Sequence, residues 1–452
     1  MNRSLVAPSI AAIALLVFLF DRLTGIGIMS GLYTLLQWIM LPVVWIGALI
    51  ATATAALGWF KWIVYIILII AGGFAFRAVG KAATGNAPRF RDMPISVAIG
   101  YVFAIVLILV VLAAYSLSYS TLGGMPDSYF FFRIAVNGLA AAAVAALLFR
   151  QLGCWVGTPG TRKLFRQMPP TAAFGIFIII CYAIAAIFAG AIAPHGQEQI
   201  FENANIIPLV NETAGGNPDF PLGTDQIGRD ILSRLIYGAQ NTVGIAFITT
   251  VLAFALGVTG GFLAAVLRGW VDQVLSRFVD VLMAIPALIF SLLLITAASS
   301  LFNGTALTIA MVVIIAVIDS TRVFRLSRAV GMNIVVMDYI EAAKLRGEGL
   351  RYLIFREILP NATAPLLAEF GLRFCFVFLT IAALSFLGLG IQPPLADWGT
   401  MVKDLGQFVN YASFLPQYAM LPLLPAGAIA LLTVAVNFVV DWMLHKSSGL
   451  KE

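Results

Sequence analysis

DYIEAAKLRGEGLRYLIFREILP, residues 338–360, is a polar and charged island in an otherwise overwhelmingly apolar chain. Its first part carries the marks of a short helix. Asp338 stands where an amino-end cap belongs, Glu341 follows as the acid of a capping box, and Gly347 supplies a stop. At about 1.5 Å per residue such a helix is about 12 Å long. Ala342 and Ala343 leave one surface with almost no side-chain bulk, which admits close approach by another protein, while Tyr339, Lys344 and Arg346 supply the polar surroundings. Local pattern alone fits equally a short amphipathic helix packed on its own protein. The flanking sequence separates the two.

With 61% hydrophobic and 11% charged residues, 452 residues carry too few charges to clothe a soluble globule. The mean hydropathy of +0.99 agrees. The chain is therefore expected to be an all-α integral membrane protein, a polytopic helical bundle. A net charge of +6 would suggest nucleic acid in a soluble protein, but here the basic residues sit in short stretches between apolar runs, so no nucleic-acid partner is expected and membrane lipid is. Cys154, Cys181 and Cys375 are isolated in or beside apolar segments and fit packing positions, not a disulfide framework or a metal site.

Outward from the island the chain threads as follows. Residues 1–169 hold apolar runs at 5–20, 32–57, 59–76, 95–117 and 130–149, four or five spans; the first is short for a bilayer that needs about 20 residues. Arg77, Lys81, Arg89 and Arg91 mark one cytoplasmic stretch, and Arg150, Arg162, Lys163 and Arg166 another. The turn at 118–128 lacks Lys and Arg and belongs outside; which side holds the amino terminus depends on whether the first runs all cross. Residues 170–452 follow as six spans, at 171–193, 242–267, 278–298, 306–318, 366–387 and 421–442. Between them lie an external loop at 194–240, a second at 388–418, and a cytoplasmic loop at 322–365 that contains the island. Of the 27 Lys and Arg residues, 19 fall in stretches placed inside, which supports this orientation. Within the first external loop, Thr224 or Asp225 is expected to cap a helix whose apolar face holds Ile227, Ile231, Leu232, Leu235 and Ile236, lying at the interface or against the bundle. In the 242–267 span, Ala253, Gly257, Gly261 and Ala265 recur every fourth residue, a ridge that lets a neighbouring helix come close.

Catalytic chemistry is not assembled by this pattern. His195 and His445 thread to opposite sides of the membrane, and no GxxxxGK[ST] loop, HExxH or paired-Cys spacing occurs, so no catalytic residue, metal or cofactor is expected. Asp280, Asp319, Glu369, Arg373 and Asp441 are expected within about two turns of the cytoplasmic span ends, leaving the span middles apolar. An ion-coupled secondary transporter would need carboxylates near the midplane. Energy is therefore expected to arrive from outside the bilayer, with the island helix as receiver; a secondary transporter and a membrane scaffold are the other readings.

The segment EAAKLRG at 341–347, with Leu359 and Pro360 following, resembles the EAA loop of permease subunits of bacterial ABC importers. Three further strings narrow the resemblance: PLGTDQIGRDILSRLIYGA at 221–239, ILPNATAPLL at 358–367 and SFLGLGIQPPLADWGTM at 385–401. Together they are similar to the dipeptide, oligopeptide and nickel permease family, in its second permease type. The similarity spans about residues 171–452, with each string on the expected side.

The resemblance implies a type I ABC importer permease core of six spans, paired with a second homologous permease subunit, two cytoplasmic ATPase subunits and an external solute-binding protein. It implies that Asp338, Tyr339, Glu341, Ala342, Ala343, Lys344, Arg346 and Gly347 form the helix that couples to an ATPase, and that ATP is hydrolysed by the partners. Its external motif residues correspond here to Gly223, Thr224, Asp225, Gly228, Arg229 and Asp230, then Gly388, Gly390, Pro393, Pro394 and Trp398. From the residues themselves, the first group fits a capped turn as well as a gating or docking role, and the second fits the end of a span and a tight turn. The implied activity is inward transport of di- or oligopeptides or a related solute across the bacterial cytoplasmic membrane. Residues 1–169 depart from the pattern, since members of this permease type begin with little more than a tail before the first core span.

Overall fold

The computed structural model describes residues 28–55, 61–83, 93–118, 130–156, 158–202, 204–206, 216–392, 394–411 and 416–447. The run at 5–20, most of the turn at 118–128, Arg89, Arg91 and Pro393 lie outside them. Among the described residues every regular element is helical, and Thr224 and Asp230 form an isolated antiparallel bridge. Among the described residues nine helices are long and apolar enough to cross a bilayer, and one bent pair makes a tenth span if counted as one. Four of these precede residue 170, as α1 (Ile28–Ala55), α2 (Lys61–Ala83), α3 (Ile95–Ser118) and α4 (Phe130–Trp155).

The described residues divide into two compact units on either side of the Ala140–Ala141 bond, and the division falls inside α4. In the first, α3 packs on both α1 and α2, and Thr54 meets the Tyr65 hydroxyl at 3.0 Å. Large side chains such as Trp38, Trp45 and Leu49 stand exposed on these helices, as a lipid-facing surface requires.

The second unit begins with the end of α4 and α5 (Pro159–Gln167), which Thr158 caps and Pro159 starts. Phe149 of α4 packs edge-on against Phe165 of α5, at 5.4 Å between rings, and against Phe177 of α6 (Pro170–Ile187) at 6.1 Å. Then come α7 (Ile231–Gly238), a π-helical segment at Ala239–Val243, and α8 (Gly244–Leu267), which together make one span. The helix expected after Thr224 or Asp225 therefore starts later, with Asp230 as its cap, and continues through the π segment into α8. Next follow α9 (Gly269–Met283) and α10 (Ala287–Ser299), bent by 87°. The single straight span expected at 278–298 is thus broken, because Pro286 lacks an N–H and biases Ile285 away from helical torsions.

The helix α11 (Gly304–Val335) runs for 32 residues, about 48 Å at the usual rise, well past the 306–318 span read from hydropathy. Hydropathy falls after Asp319, but a helical stripe continues: Val323, Phe324, Ser327, Gly331 and Ile334 are all buried. The loop expected at 322–365 is accordingly mostly helix, comprising the end of α11, then α12 (Asp338–Leu345) and a π-helical segment at Leu353–Ile358. Pro360 explains the π segment: it cannot donate to the carbonyl four residues back, and its ring crowds that carbonyl, so wider turns relieve the clash. The chain ends in α13 (Thr363–Phe386), α14 (Trp398–Gly406) and α15 (Leu423–Ser447).

The closest pairing is α8 with α11. A Cβ at Gly257 would lie 2.7 Å from the Ser320 carbonyl oxygen, and one at Gly261 the same distance from that of Phe324. Ala253 and Ala265 on the same stripe are buried. Replacing Gly261 by Val should therefore cost about 1–3 kcal/mol or more by overpacking, whereas Gly260→Ala meets only Phe324 Cδ2 at 3.4 Å and should be tolerated. Thermal unfolding of the two variants in detergent measures the difference. Deletion of residues 1–140 should leave a core that inserts and purifies, while deletion of 1–169 removes Phe149 and Phe165 and should lower its yield; comparing membrane-inserted protein from the two deletions tests this.

Candidate functional site

The island helix α12 is held from one side. Ile340 and Ala343 have no exposed surface and join a buried cluster with Phe262 of α8, Ile334 and Val335 of α11, Leu353, Ile354 and Ile358 of the π segment, and Leu366 of α13. The bare alanine surface expected from sequence is therefore split: Ala343 faces its own bundle and Ala342 faces outward. Asp338 is the first helical residue and not the cap; Met337 holds that position without a side-chain bond. Asp338 and Glu341 instead place two carboxylates in the first turn, where the helix dipole favours them. Gly347 ends the helix with φ +79°, its N–H bonded to Lys344 O at 2.9 Å and that of Glu348 to Ala343 O at 3.2 Å, a Schellman stop. Lys344 and Arg346 are exposed, and Arg346 approaches Glu357 only to 4.0 Å.

The outward side of α12 is apolar as well as charged. Leu345 is 84% exposed, and Val336, Met337 and Tyr339 also face solvent. These exposed apolar side chains gather at the two ends of the seated helix.

At the far end of α8 the other motif strings converge. Asp225 accepts from the backbone N–H groups of Ile227 and Arg229 at 3.1 and 2.9 Å and pairs with Arg229 Nε at 2.7 Å. Gly223 and Gly228 both have positive φ, and a Cβ on Gly228 would strike the Phe201 carbonyl oxygen. Thr224 is buried and its Oγ1 accepts from Ile206 N at 2.9 Å. Asp230 caps α7 and takes His195 Nδ1 at 3.1 Å, with Phe201 and Phe220 enclosing the imidazole.

This capped turn is locked to the second string. The indole N–H of the buried Trp398 donates to Leu235 O at 2.9 Å, and its backbone N–H donates to Thr242 Oγ1 at 3.1 Å. Asn241 donates to Ala396 O at 2.8 Å and Thr242 to Asp397 at 2.8 Å. The π segment at 239–243 is what turns both Asn241 and Thr242 toward one loop. Burial pushes the Asp397 carboxyl above the usual carboxylate range, against the pull of hydrogen bonds from Thr400 and Thr242. Gly388 ends α13 with φ +86° in a second Schellman stop, Gly390 lies against Ser385, and Pro394 is exposed.

Charged side chains of α11 and α13 meet in the core. Arg373 lies ten residues into α13, and α11 continues for sixteen residues beyond Asp319. Arg373 Nε stands 2.7 Å from Glu369, and its Nη1 4.0 Å from Asp319. Sequence reasoning passed over Gln197, Asn241, Thr242 and Asp397, which knit the far end together. The signal available was a pair of polar residues opening an apolar run.

Residues 257–446 match the family described as binding-protein-dependent transport system inner membrane component. The chain is 34% identical over 271 residues to a dipeptide transport system permease protein of Haemophilus influenzae, covering 60% of this chain and 87% of that one. A di/tripeptide transport system permease protein of Pseudomonas aeruginosa is 32% identical over 59% of this chain and 84% of its own. A peptide transport system permease protein of Escherichia coli is 33% identical over 63% and 92%. Seated helix, locked far end and these matches lead to one assignment: the chain belongs to the inner membrane permeases of binding-protein-dependent ABC transport systems, as a multi-pass transport subunit of the bacterial inner membrane and not an enzyme.

Proposed function

We propose that this subunit carries short peptides inward in a transporter that also contains a second homologous permease, two cytoplasmic ATPase subunits and an external solute-binding protein. The core is residues 170–452, and residues 1–169 are an accessory membrane extension. In this arrangement residues 322–365 lie in the cytoplasm and residues 194–240 and 388–418 lie outside.

One observation carries the proposal. The α12 helix is anchored on its inner side by Ile340 and Ala343 and presents Met337, Tyr339, Ala342 and Leu345 on its outer side. A groove on an ATPase that grips those side chains would move α12 as a body, and the buried cluster would pass the movement to α8, α11 and α13. Asp338, Glu341, Lys344 and Arg346 at the rim fix orientation more than strength. The far-end motif acts as a brace: Asp225, Asp230 and Trp398 use their polar atoms on the protein itself, so the solute-binding protein meets the outside of a rigid ledge. The names of the matched permeases support peptides as the solute class.

Leu345→Asp should reduce copurification of the ATPase subunits and ATP-dependent dipeptide uptake by about tenfold or more, with unchanged thermal stability of the permease. Gly347→Val should cost about 1–2 kcal/mol, because only glycine holds a left-handed stop without strain, and should lower coupling, read as uptake per ATP hydrolysed. Uptake that persists without ATP and follows the proton gradient would overturn the proposal in favour of ion-coupled transport.

A further inference from the structure

The helices α9 and α10 meet at 87°, and α9 also lies across α11. Asp272 and Asp280 stand eight residues apart on α9, about 12 Å, whereas their partners Arg328 and Arg325 stand three residues apart on α11, about 4.5 Å. Both pairs are close, with Arg328 Nη2 and Arg325 Nη2 each donating to its carboxylate at 2.7 Å. So α9 crosses α11 steeply and does not run beside it. Its inner side is packed: Val279 is buried with Ala264 of α8 and Phe324 of α11, and Leu275 and Met283 lie against them.

The opposite side carries an apolar stripe. Trp270, Val274, Phe278 and Val281 fall within an arc of about 80° of the helix, and all four are exposed, Trp270 by 75%. Arg277 borders the stripe and Arg268 precedes the helix; both are exposed, and neither takes part in the pairs that hold α9 to α11. An apolar stripe with a tryptophan at one end and arginines at its edge is the pattern of a helix lying between headgroups and acyl chains. The geometry agrees. The helix α11 is long and apolar enough to cross a bilayer, and α9, steep to it and perpendicular to α10, then runs close to the bilayer plane.

We propose that α9 lies in the plane of the cytoplasmic leaflet, with its stripe among the acyl chains and Arg268 and Arg277 on the phosphates of anionic lipids. The choice of leaflet rests on the placement of residues 322–365 in the cytoplasm, since Arg325 and Arg328 belong to them; the in-plane course does not. Both acids of α9 are engaged by α11, so its outer side presents net positive charge to the lipid. A guanidinium offers forked donors that match phosphate oxygens. Through the same two pairs the leaflet holds the inner stretch of α11 at a set depth.

Depth measurements on the full chain, assembled with its partner subunits in liposomes, test it. With Cys154, Cys181 and Cys375 replaced by Ser, spin labels on Val274→Cys and Val281→Cys should report equal depths from their collisions with oxygen and with a water-soluble nickel chelate. A difference of about 10 Å, the rise of seven residues, would show a crossing helix and overturn the proposal. Labels shielded from both probes would assign the stripe to a partner subunit and overturn it equally. For the phosphates, a fluorophore on Val274→Cys should be quenched more by brominated phosphatidylglycerol than by brominated phosphatidylcholine, and Arg268→Gln with Arg277→Gln should abolish the difference. Equal quenching in the parent chain, or a difference that survives both substitutions, would overturn the anionic-lipid contact. Labelling of Gln273→Cys by a membrane-impermeant maleimide from outside intact cells would refute the cytoplasmic placement and with it the choice of leaflet, and the paired depths would still decide the in-plane course.

Discussion

The contact between α8 and α11 at Gly257 and Gly261 is the constraint on which the core depends. There the two backbones approach until a single added carbon would meet a carbonyl oxygen. In a bilayer no hydrophobic force draws helices together, so intimate van der Waals contact must do so. This contact joins the two ends of the molecule: α8 begins at the Asn241 and Thr242 brace and ends with Phe262 in the cluster that seats α12. Loosening the pair would leave both the brace and the platform without a common frame.

Each end solves a local problem with the same means. Gly347 and Gly388 both close a helix with positive φ and paired carbonyl bonds, after which the chain is free to turn sharply. Each end also carries a π segment, at 239–243 and 353–358, which re-aims side chains that a regular helix would scatter around its surface. Rigid seating of α12 and of Trp398 follows from these devices together with burial, not from ion pairing, since Arg346 makes only long contacts.

Composition and basic-residue placement made the helical membrane class legible, and the four-residue rhythm of Ala253, Gly257, Gly261 and Ala265 made the main helix contact legible. The stop at Gly347 was legible because one residue type dominates such positions. Less accessible were properties set by more than one element. Ala342 and Ala343 look alike in sequence, and only the packing of Phe262 and Ile358 decides which is buried. The bend at Pro286 was visible in principle, yet the apolar residues on both sides masked it. Hydropathy could not see that α11 outlives its apolar run, because Arg322, Arg325 and Arg328 lower the average while Val323, Phe324 and Ser327 keep the buried stripe.

The length of α11 has a mechanical consequence. Its 32 residues run unbroken from the Asn303 junction to the edge of the α12 seat, with neither proline nor π segment in between. Such a rod acts as a lever: a tilt of about 10° about one end sweeps the other through an arc of about 8 Å, given a rise of about 1.5 Å per residue. That arc exceeds one helical turn, so a modest rotation at the α12 end is geometrically sufficient to displace the opposite end by the width of a backbone.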